Sequence, residues 1–284
     1  MIARRLVLAI TAVALSACQL APSAKPALPP GARYVAMGSS YAAGPGIEPY
    51  ADASPGPCFR STLNYAHQLA QRKGLALTDA GCSGATTYHL DGPRGAIPPQ
   101  LDAVDAQTRL VTITIGGNDV NFVGRLGAGS CIGLAEQTGD PSASCARIPP
   151  VPTEQDYATL AARMDKIAKD VRRRAPLARL IFIDYPLVLP ASGLCPAIPL
   201  SQTEADIDRE IARRLAAITA KAAADNGADL VRASKISEGH DACAANAWMN
   251  GYPRPGAPVA GTNYHPNAKG MTAIADALEN LLRN

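Results

Sequence analysis

Ser40 has the residue type and the position that nucleophilic chemistry at a serine requires. It follows a short apolar run, residues 34–37, which is typical of a buried strand, and Gly38 ends that run. A serine at the end of a buried strand is held on a rigid support, where its hydroxyl can be aimed at a substrate and its backbone N–H can donate a hydrogen bond. The segment suits an acyl-transfer nucleophile, although Gly-Ser-Ser after a strand also occurs in ordinary turns. Ser39 is the alternative nucleophile.

Three later segments place complementary residue types at similar points. Gly84 follows a second apolar run, Asn118 ends a third, and His265 precedes Pro266 at the predicted start of the last helix. Glycine lets a carbonyl group approach the backbone closely, and a side-chain amide donates a hydrogen bond without carrying charge. The positive end of a helix dipole disfavours the imidazolium form, which would leave His265 neutral and able to act as a base. Cleavage of an ester needs a nucleophile, a base and donors for an oxyanion, and these residue types suit such roles.

In their order and spacing, these segments resemble the four sequence blocks of the SGNH hydrolases, the GDSL-type lipases and esterases. The resemblance extends from about residue 34 to the C-terminus. It implies Ser40 as the nucleophile and His265 as the base. It also implies an oxyanion hole formed by the backbone N–H groups of Ser40 and Gly84 and the side-chain amide of Asn118. The matching segments are Gly38-Ser39-Ser40-Tyr41, Gly81-Cys82-Ser83-Gly84, Gly116-Gly117-Asn118-Asp119 and Asn263-Tyr264-His265-Pro266.

Two positions depart from the family's pattern. Ser39 replaces the aspartate of the family's Gly-Asp-Ser-Leu motif, a residue that is not catalytic in the family. Thr262 stands three residues before His265, where the family usually has the aspartate of a catalytic triad. We expect the backbone carbonyl of Thr262 to orient His265, which would leave a Ser–His dyad. The alternative is a triad completed by a carboxylate from elsewhere, with Asp241 as the first candidate.

The N-terminus predicts export. Arg4 and Arg5 precede 12 uncharged residues, 6–17, a length that fits a signal-peptide core better than a membrane span. The sequence Leu15-Ser16-Ala17-Cys18 resembles the lipobox of bacterial lipoproteins, which implies lipid on Cys18. We therefore predict a signal peptide at 1–17, an Ala/Pro-rich tether at 18–31 and a hydrolase domain at 32–284, anchored to the membrane of the cell envelope by the N-terminal lipid. Cleavage near Ala17 would instead give a free secreted enzyme.

The remaining six cysteines form an even set downstream of an export signal, which indicates disulfide bonds with 15 possible connectivities. Sequential pairing is the simplest of these, and it matches secreted lipases of the family. A metal set of Cys195, His240, Cys243 and His265 lacks the short paired spacings of a structural zinc site, so we expect no metal and no cofactor. The predicted pairs are Cys58–Cys82, Cys131–Cys145 and Cys195–Cys243.

Length and pattern predict one α/β domain. The chain has 284 residues, and its scattered charges, 27 basic against 24 acidic, give no reason to expect nucleic acid as a partner. Strands alternate with helices, which favours a three-layer, flavodoxin-like α/β/α sandwich around a parallel sheet of about five strands. The Gly-rich segment 124–152 is expected to be a long loop, stiffened by a disulfide into a wall of the site.

The expected function is that of an exported serine esterase or lipase that acts on carboxylic esters, as a monomer. A second possibility uses the same site to remove or transfer acyl groups on sugars, and a third is a non-catalytic surface lipoprotein that only binds. Tyr41 and Trp248 predict aromatic walls for the pocket, but they do not identify the substrate.

Overall fold

A computed structural model describes residues 27–52, 54–140, 144–254, 256 and 261–283. The predicted signal peptide, Cys18 and tether residues 18–26 lie outside this range. Five strands of the described chain form a parallel sheet in the order β2-β1-β3-β4-β5, with helices on both faces. This confirms the predicted three-layer α/β/α fold. The strands are β1 (Arg33–Gly38), β2 (Ala76–Asp79), β3 (Thr108–Thr114), β4 (Arg179–Ile183) and β5 (Asp229–Val231).

Eight α-helices of the described chain surround the sheet, and short 3₁₀ turns at Gly56–Cys58 and Gln100–Ala103 lie in the connections. The longest helices begin at the caps that the sequence supplies: Thr153 and Asp156 form a capping box, and the Ser201 side chain accepts the N–H of Glu204. The helices are α1 (Ser40–Ala43), α2 (Tyr65–Lys73), α3 (Tyr88–Asp91), α4 (Phe122–Thr138), α5 (Glu154–Arg174), α6 (Gln202–Asp225), α7 (Ala233–Ile236) and α8 (Ala268–Arg283).

Alternate residues of the central strands enter two separate cores. In β1, Tyr34 and Ala36 pack with the α2 and α8 side chains, whereas Val35 and Met37 belong to the larger core with α4, α5 and α6. Both faces of the sheet are therefore covered, which explains why these strands appear in the sequence as nearly continuous apolar runs.

The segment 124–152, predicted to be a loop, is largely helical. Helix α4 runs from Phe122 to Thr138 even though it contains glycines, which have low helix propensity. Two of these glycines allow close packing: a methyl group on Gly133 would lie 1.9 Å from the Pro199 carbonyl oxygen, and one on Gly129 would lie 2.8 Å from Leu200. Tertiary packing, which the local sequence does not reveal, stabilises this helix.

The three disulfide bonds have the predicted pairing. Cys58 bonds to Cys82, Cys131 to Cys145 and Cys195 to Cys243. Each bond ties a loop or helix to another part of the domain that is 14 to 48 residues away in sequence. The bonds thus stabilise the long connections that surround the sheet.

The described part of the chain has no membrane-spanning helix, and each arginine of the run 172–174 has partners within the protein. No helix there has the length and apolarity needed to cross a bilayer. Arg172 donates to three backbone carbonyls, Arg173 pairs with Asp170, and Arg174 donates to the Leu101 carbonyl and pairs with Asp102. These arginines stabilise the fold.

Candidate active site

The carboxyl ends of the strands bring the predicted site residues to one cavity. Ser40, Gly84, Asn118 and His265 all line a cavity of about 450 Å³. In parallel α/β sheets ligands bind at this edge, because the loops that follow the strands converge there. The remaining lining residues are Pro45, Gly46, Tyr50, Phe59, Ser83, Val123, Gly124 and Thr262.

Ser40 and His265 form a direct hydrogen bond. Ser40 Oγ lies 2.7 Å from His265 Nε2, and each residue is only 6% exposed. His265 Nδ1 lies 2.7 Å from the Asn263 carbonyl oxygen, which can only accept. In the neutral ring Nδ1 therefore carries the proton and Nε2 accepts the Ser40 hydroxyl proton. This is the orientation that a histidine needs to deprotonate serine.

The sequence predicted that the Thr262 carbonyl orients His265, but in the structure the Asn263 carbonyl does so. The Thr262 carbonyl instead accepts the backbone N–H of His265 at 3.2 Å and the side-chain amide of Asn250 at 3.2 Å. Tyr264, the residue between Asn263 and His265, has a φ of +58°, and this turn of the chain accompanies the approach of the Asn263 carbonyl to Nδ1. The prediction used the position three residues before the histidine, where the family usually has an aspartate side chain. The main-chain carbonyl that replaces it here lies two residues before the histidine.

No carboxylate of the described residues contacts His265. Asp241, the candidate for completing a triad, accepts the backbone N–H of Cys243 at 2.8 Å. The alternative nucleophile Ser39 is 1% exposed, and its hydroxyl bonds to Tyr185 Oη at 3.0 Å. The structure therefore brings Ser40 to the histidine, and it places Ser39 in the interior behind it.

Burial controls the charge state of His265. It lowers the pKa of the ring to about 4, against which the hydrogen bond to the Asn263 carbonyl acts only in part. The sequence suggested the N-terminus of the last helix as the cause, but α8 begins at Ala268, beyond the ring. The imidazole is consequently neutral at physiological pH.

The predicted oxyanion donors are held by their own contacts. Gly84 has a φ of +78°, which favours glycine. The Asn118 amide donates one N–H to the Ala85 carbonyl at 2.8 Å, which leaves its second N–H for a ligand. The neighbouring Asp119 accepts the backbone N–H of Thr87, so the two loops are joined at this point. These contacts fix the edge of the cavity next to Ser40.

Several residues that support the site carry no sequence motif. The Gln100 side chain accepts the Gly38 N–H at 2.7 Å and donates to the Gly38 carbonyl at 2.9 Å, which clamps the end of β1. The Tyr41 hydroxyl donates to the Tyr264 carbonyl, next to His265. The Tyr264 hydroxyl meets Ser130 on α4. These partners lie 62 to 223 residues apart in sequence, so no local signal could have found them.

The predicted aromatic walls are different in the structure. Tyr41 is buried beneath the site, with its ring 5.0 Å from that of His265. Trp248 stacks on His240 at 3.9 Å and does not line the cavity. The aromatic side chains that face the cavity are Tyr50 and Phe59, whose ring centres lie 5.7 Å apart.

Within the described residues, no cluster of three or more His, Cys, Asp or Glu side chains could hold a metal ion. Two members of the candidate set, Cys195 and Cys243, are joined in a disulfide.

A serine hydrogen-bonded to a neutral histidine, at the carboxyl edge of a parallel sheet covered by helices, defines an α/β/α hydrolase site. The sequence model of the GDSL-like Lipase/Acylhydrolase family matches residues 36–273, and the chain belongs to this family. Lipase 2 of Streptomyces coelicolor is 34% identical over 255 residues, which cover 86% of this chain and 83% of the relative. These similarities identify the chain as a carboxylic ester hydrolase.

Solved structures agree with this assignment. Phospholipase A1 from Streptomyces albidoflavus NA297 matches with a TM-score of 0.71 and 25% identity, over 88% of this chain and 99% of that one. The extracellular lipase from Streptomyces rimosus matches with a TM-score of 0.67 and 28% identity, over the same shares of the two chains.

Proposed function

We propose that this chain is an exported esterase or lipase that cleaves carboxylic esters through a Ser40–His265 dyad. The observation that carries the proposal is the hydrogen bond of 2.7 Å from Ser40 Oγ to His265 Nε2, with Nδ1 held by the Asn263 carbonyl. A backbone carbonyl fixes the tautomer and the ring orientation, as the aspartate of a triad would. It stabilises the imidazolium less, because it carries no full charge.

In the first half of the reaction, Ser40 Oγ attacks the ester carbonyl carbon while His265 Nε2 takes its proton. The carbonyl oxygen becomes an oxyanion, for which the donors are the N–H groups of Ser40 and Gly84 and the Asn118 amide. His265 then returns the proton to the departing alkoxide oxygen. The alcohol leaves, and the acyl group remains bonded to Ser40 Oγ.

In the second half, water replaces the alcohol. His265 Nε2 takes a proton from the water molecule as its oxygen attacks the acyl carbon, and the same donors hold the oxyanion. Collapse breaks the bond to Ser40 Oγ, which recovers its proton from His265. The free carboxylic acid is released and the enzyme returns to its starting state.

The proposed substrates carry an apolar acyl chain. Pro45, Tyr50, Phe59 and Val123 give the cavity apolar walls next to Ser40. The similar proteins named lipase and phospholipase A1 act on esters of this kind according to their names, which supports the same class here.

Export is proposed on independent grounds. Three disulfides form readily in an oxidising compartment outside the cytoplasm, and the similar Streptomyces rimosus lipase is described as extracellular. Lipid on Cys18 would make this protein a membrane-anchored member of the family. Detergent partitioning of the native protein and of Cys18→Ser tests the anchor, and an unchanged partition would contradict it.

Hydrolysis of p-nitrophenyl butyrate by active-site variants tests the proposed chemistry. We expect Ser40→Ala and His265→Gln each to abolish nearly all turnover, whereas Ser39→Ala, the matched control in the adjacent position, retains a measurable rate. A Ser40→Ala protein that still hydrolyses the ester would contradict the proposal. Faster release of acetate from acetylated glycans than of fatty acid from triglycerides would move the substrate class to sugar esters.

A further inference from the structure

Arg94 lies against the loop that presents Gly84. The loop after α3 turns back on itself, with Arg94 and Ile97 paired through their backbones, and this directs the Arg94 side chain to the Gly84 loop. Its Nη1 donates to the Ser83 carbonyl oxygen and lies 3.0 Å from Cys82 Sγ. A methyl group on Gly84 would lie only 2.7 Å from Arg94 Nη2. The guanidinium therefore packs directly over Gly84.

The bond to Ser83 matters because the Ser83 carbonyl and the Gly84 N–H belong to the same peptide group. A charged donor on the carbonyl oxygen pulls electron density through the conjugated amide, which makes its N–H a stronger donor. Hydrogen bonds to charged groups are about twice as strong as those between neutral groups, so the polarisation is larger than a neutral donor would give.

The charge of Arg94 is not neutralised by the protein. The guanidinium is half-buried and forms no ion pair with any carboxylate in the described part of the chain; its hydrogen bonds there go to the Ser83 carbonyl and Cys82 Sγ. Partial burial weakens screening by solvent, so a positive charge acts over several ångströms. This charge would stabilise an anion that forms beside Gly84.

We propose that Arg94 is a positioning residue that strengthens the Gly84 N–H as an oxyanion donor and adds an unneutralised positive charge beside it. The proposal rests on the oxyanion role proposed above for Gly84. The ester carbonyl is nearly neutral before attack and anionic in the tetrahedral intermediate, so Arg94 favours the intermediate over the bound ester. Loss of Arg94 should therefore lower kcat and leave KM nearly unchanged.

Three substitutions separate charge from hydrogen bonding. Arg94→Met removes both, Arg94→Gln keeps a neutral donor, and Arg94→Lys keeps the charge. With p-nitrophenyl butyrate we expect Arg94→Met to lower kcat by about tenfold, less than the 10²–10³ lost with an oxyanion donor itself, because Arg94 acts through the peptide. Activity should follow the order Arg, Lys, Gln, Met. KM should stay within about twofold of the native value.

Inhibition by n-butylboronic acid gives a readout that a purely structural role would not change. Ser40 Oγ bonds to the boron and its proton passes to His265 Nε2, so the boron becomes a tetrahedral anion that resembles the intermediate. We expect its inhibition constant to rise by the same factor as kcat falls across the three variants. An unchanged inhibition constant and kcat in folded Arg94→Met would overturn the proposal, as would a change confined to KM.

Arg60→Met is the matched control. Arg60 is also half-buried, and its Nε donates at 2.7 Å to the Gly81 carbonyl in the same loop, but that peptide provides no oxyanion donor. We expect Arg60→Met to lose thermal stability as Arg94→Met does, while the inhibition constant of the boronic acid stays unchanged. If it weakens inhibition equally, loop stability explains the effect and the proposal fails.

Asn118→Ala distinguishes a failure of this proposal from a failure of the proposed function. If Asn118→Ala raises the inhibition constant of the boronic acid and Arg94→Met does not, the oxyanion hole is supported and the role proposed for Arg94 is wrong. If neither variant raises the inhibition constant, the oxyanion hole itself is wrongly placed.

Discussion

His265 is almost fully buried, between the Ser40 hydroxyl, the Asn263 carbonyl and the ring of Tyr41. With no carboxylate of the described residues beside it, only the Asn263 carbonyl offsets part of the cost of burying an imidazolium. The neutral base is available over a wide pH range, and the proton it takes in the reaction is held less firmly than in a triad. Hydrogen bonds to the oxyanion must then provide more of the stabilisation.

The pH dependence of kcat/KM should reveal this environment. Protonation of His265 removes the base, so activity falls as the pH drops through the pKa of the free enzyme. Because burial lowers that pKa to about 4, we expect the acid limb to have its midpoint near pH 4 for p-nitrophenyl butyrate. A midpoint near 6.5, the ordinary value for histidine, would show that the ring is solvated or paired with a carboxylate.

Substitutions around His265 should distinguish a dyad from a triad. Asn263→Ala and Thr262→Ala both keep the main-chain carbonyls, so each should retain most of the kcat, and Asp241→Asn should be nearly silent because that carboxylate bonds to Cys243. Steady-state kinetics of the three variants gives the answer. A loss confined to Asp241→Asn, up to the ~10⁴ known for a serine-protease aspartate, would indicate a triad.

The sequence predicted the site residues that occupy motifs, but not those that hold them. Ser40, Gly84, Asn118 and His265 follow from residue type, spacing and the family resemblance, and the structure places them around one cavity. The substitute for the missing aspartate was assigned to the wrong carbonyl, because the choice depends on the positive φ of Tyr264. Backbone conformation at a single non-glycine residue is not visible in the sequence.

At the scale of elements, helix α4 shows where local sequence rules fail. Its glycines favoured a loop, but it packs closely against the segment that contains Pro199 and Leu200. Arg125, buried in this helix, donates to Asp208 at 2.9 Å and to Glu204, both on α6. The prediction failed because glycine lowers helix propensity locally and permits close packing globally.

Two glycines in α4 should respond in opposite directions to the same substitution. Gly133→Ala places a methyl group 1.9 Å from the Pro199 carbonyl oxygen, so we expect a loss of about 1–3 kcal/mol from overpacking. Gly127→Ala meets no atom within 4 Å, so the free energy of unfolding should rise by about 0.4–1 kcal/mol from reduced chain entropy. Urea unfolding measures both, and equal effects would contradict the packing described for α4.

At the scale of the whole molecule, the disulfides connect the loops that build the site to the domain. The bond between Cys58 and Cys82 lies next to Phe59 and directly before the segment Ser83-Gly84. The Ser83 backbone N–H also donates to the Cys58 carbonyl at 3.2 Å. This bond therefore supports both a cavity wall and an oxyanion donor.

Removing that bond should affect stability and activity together. It closes a loop with a sequence separation of 24, so replacing both Cys58 and Cys82 by serine should cost about 3 kcal/mol in the free energy of unfolding and lower kcat. The matched control, replacement of both Cys195 and Cys243 by serine, should lower the melting temperature while kcat stays close to native, because neither residue adjoins one that lines the cavity. Equal losses of kcat in the two proteins would contradict a local role for the first bond.

The identity of the nucleophile is the central claim, and a fluorophosphonate probe tests it most directly. The probe bonds covalently to a serine oxygen only where a base activates the hydroxyl and an oxyanion hole accepts the phosphoryl oxygen. We predict that mass spectrometry finds the label on Ser40, that Ser39→Ala is still labelled, and that His265→Gln labels far more slowly. Label on Ser39, or none in a preparation that hydrolyses esters, would contradict the account.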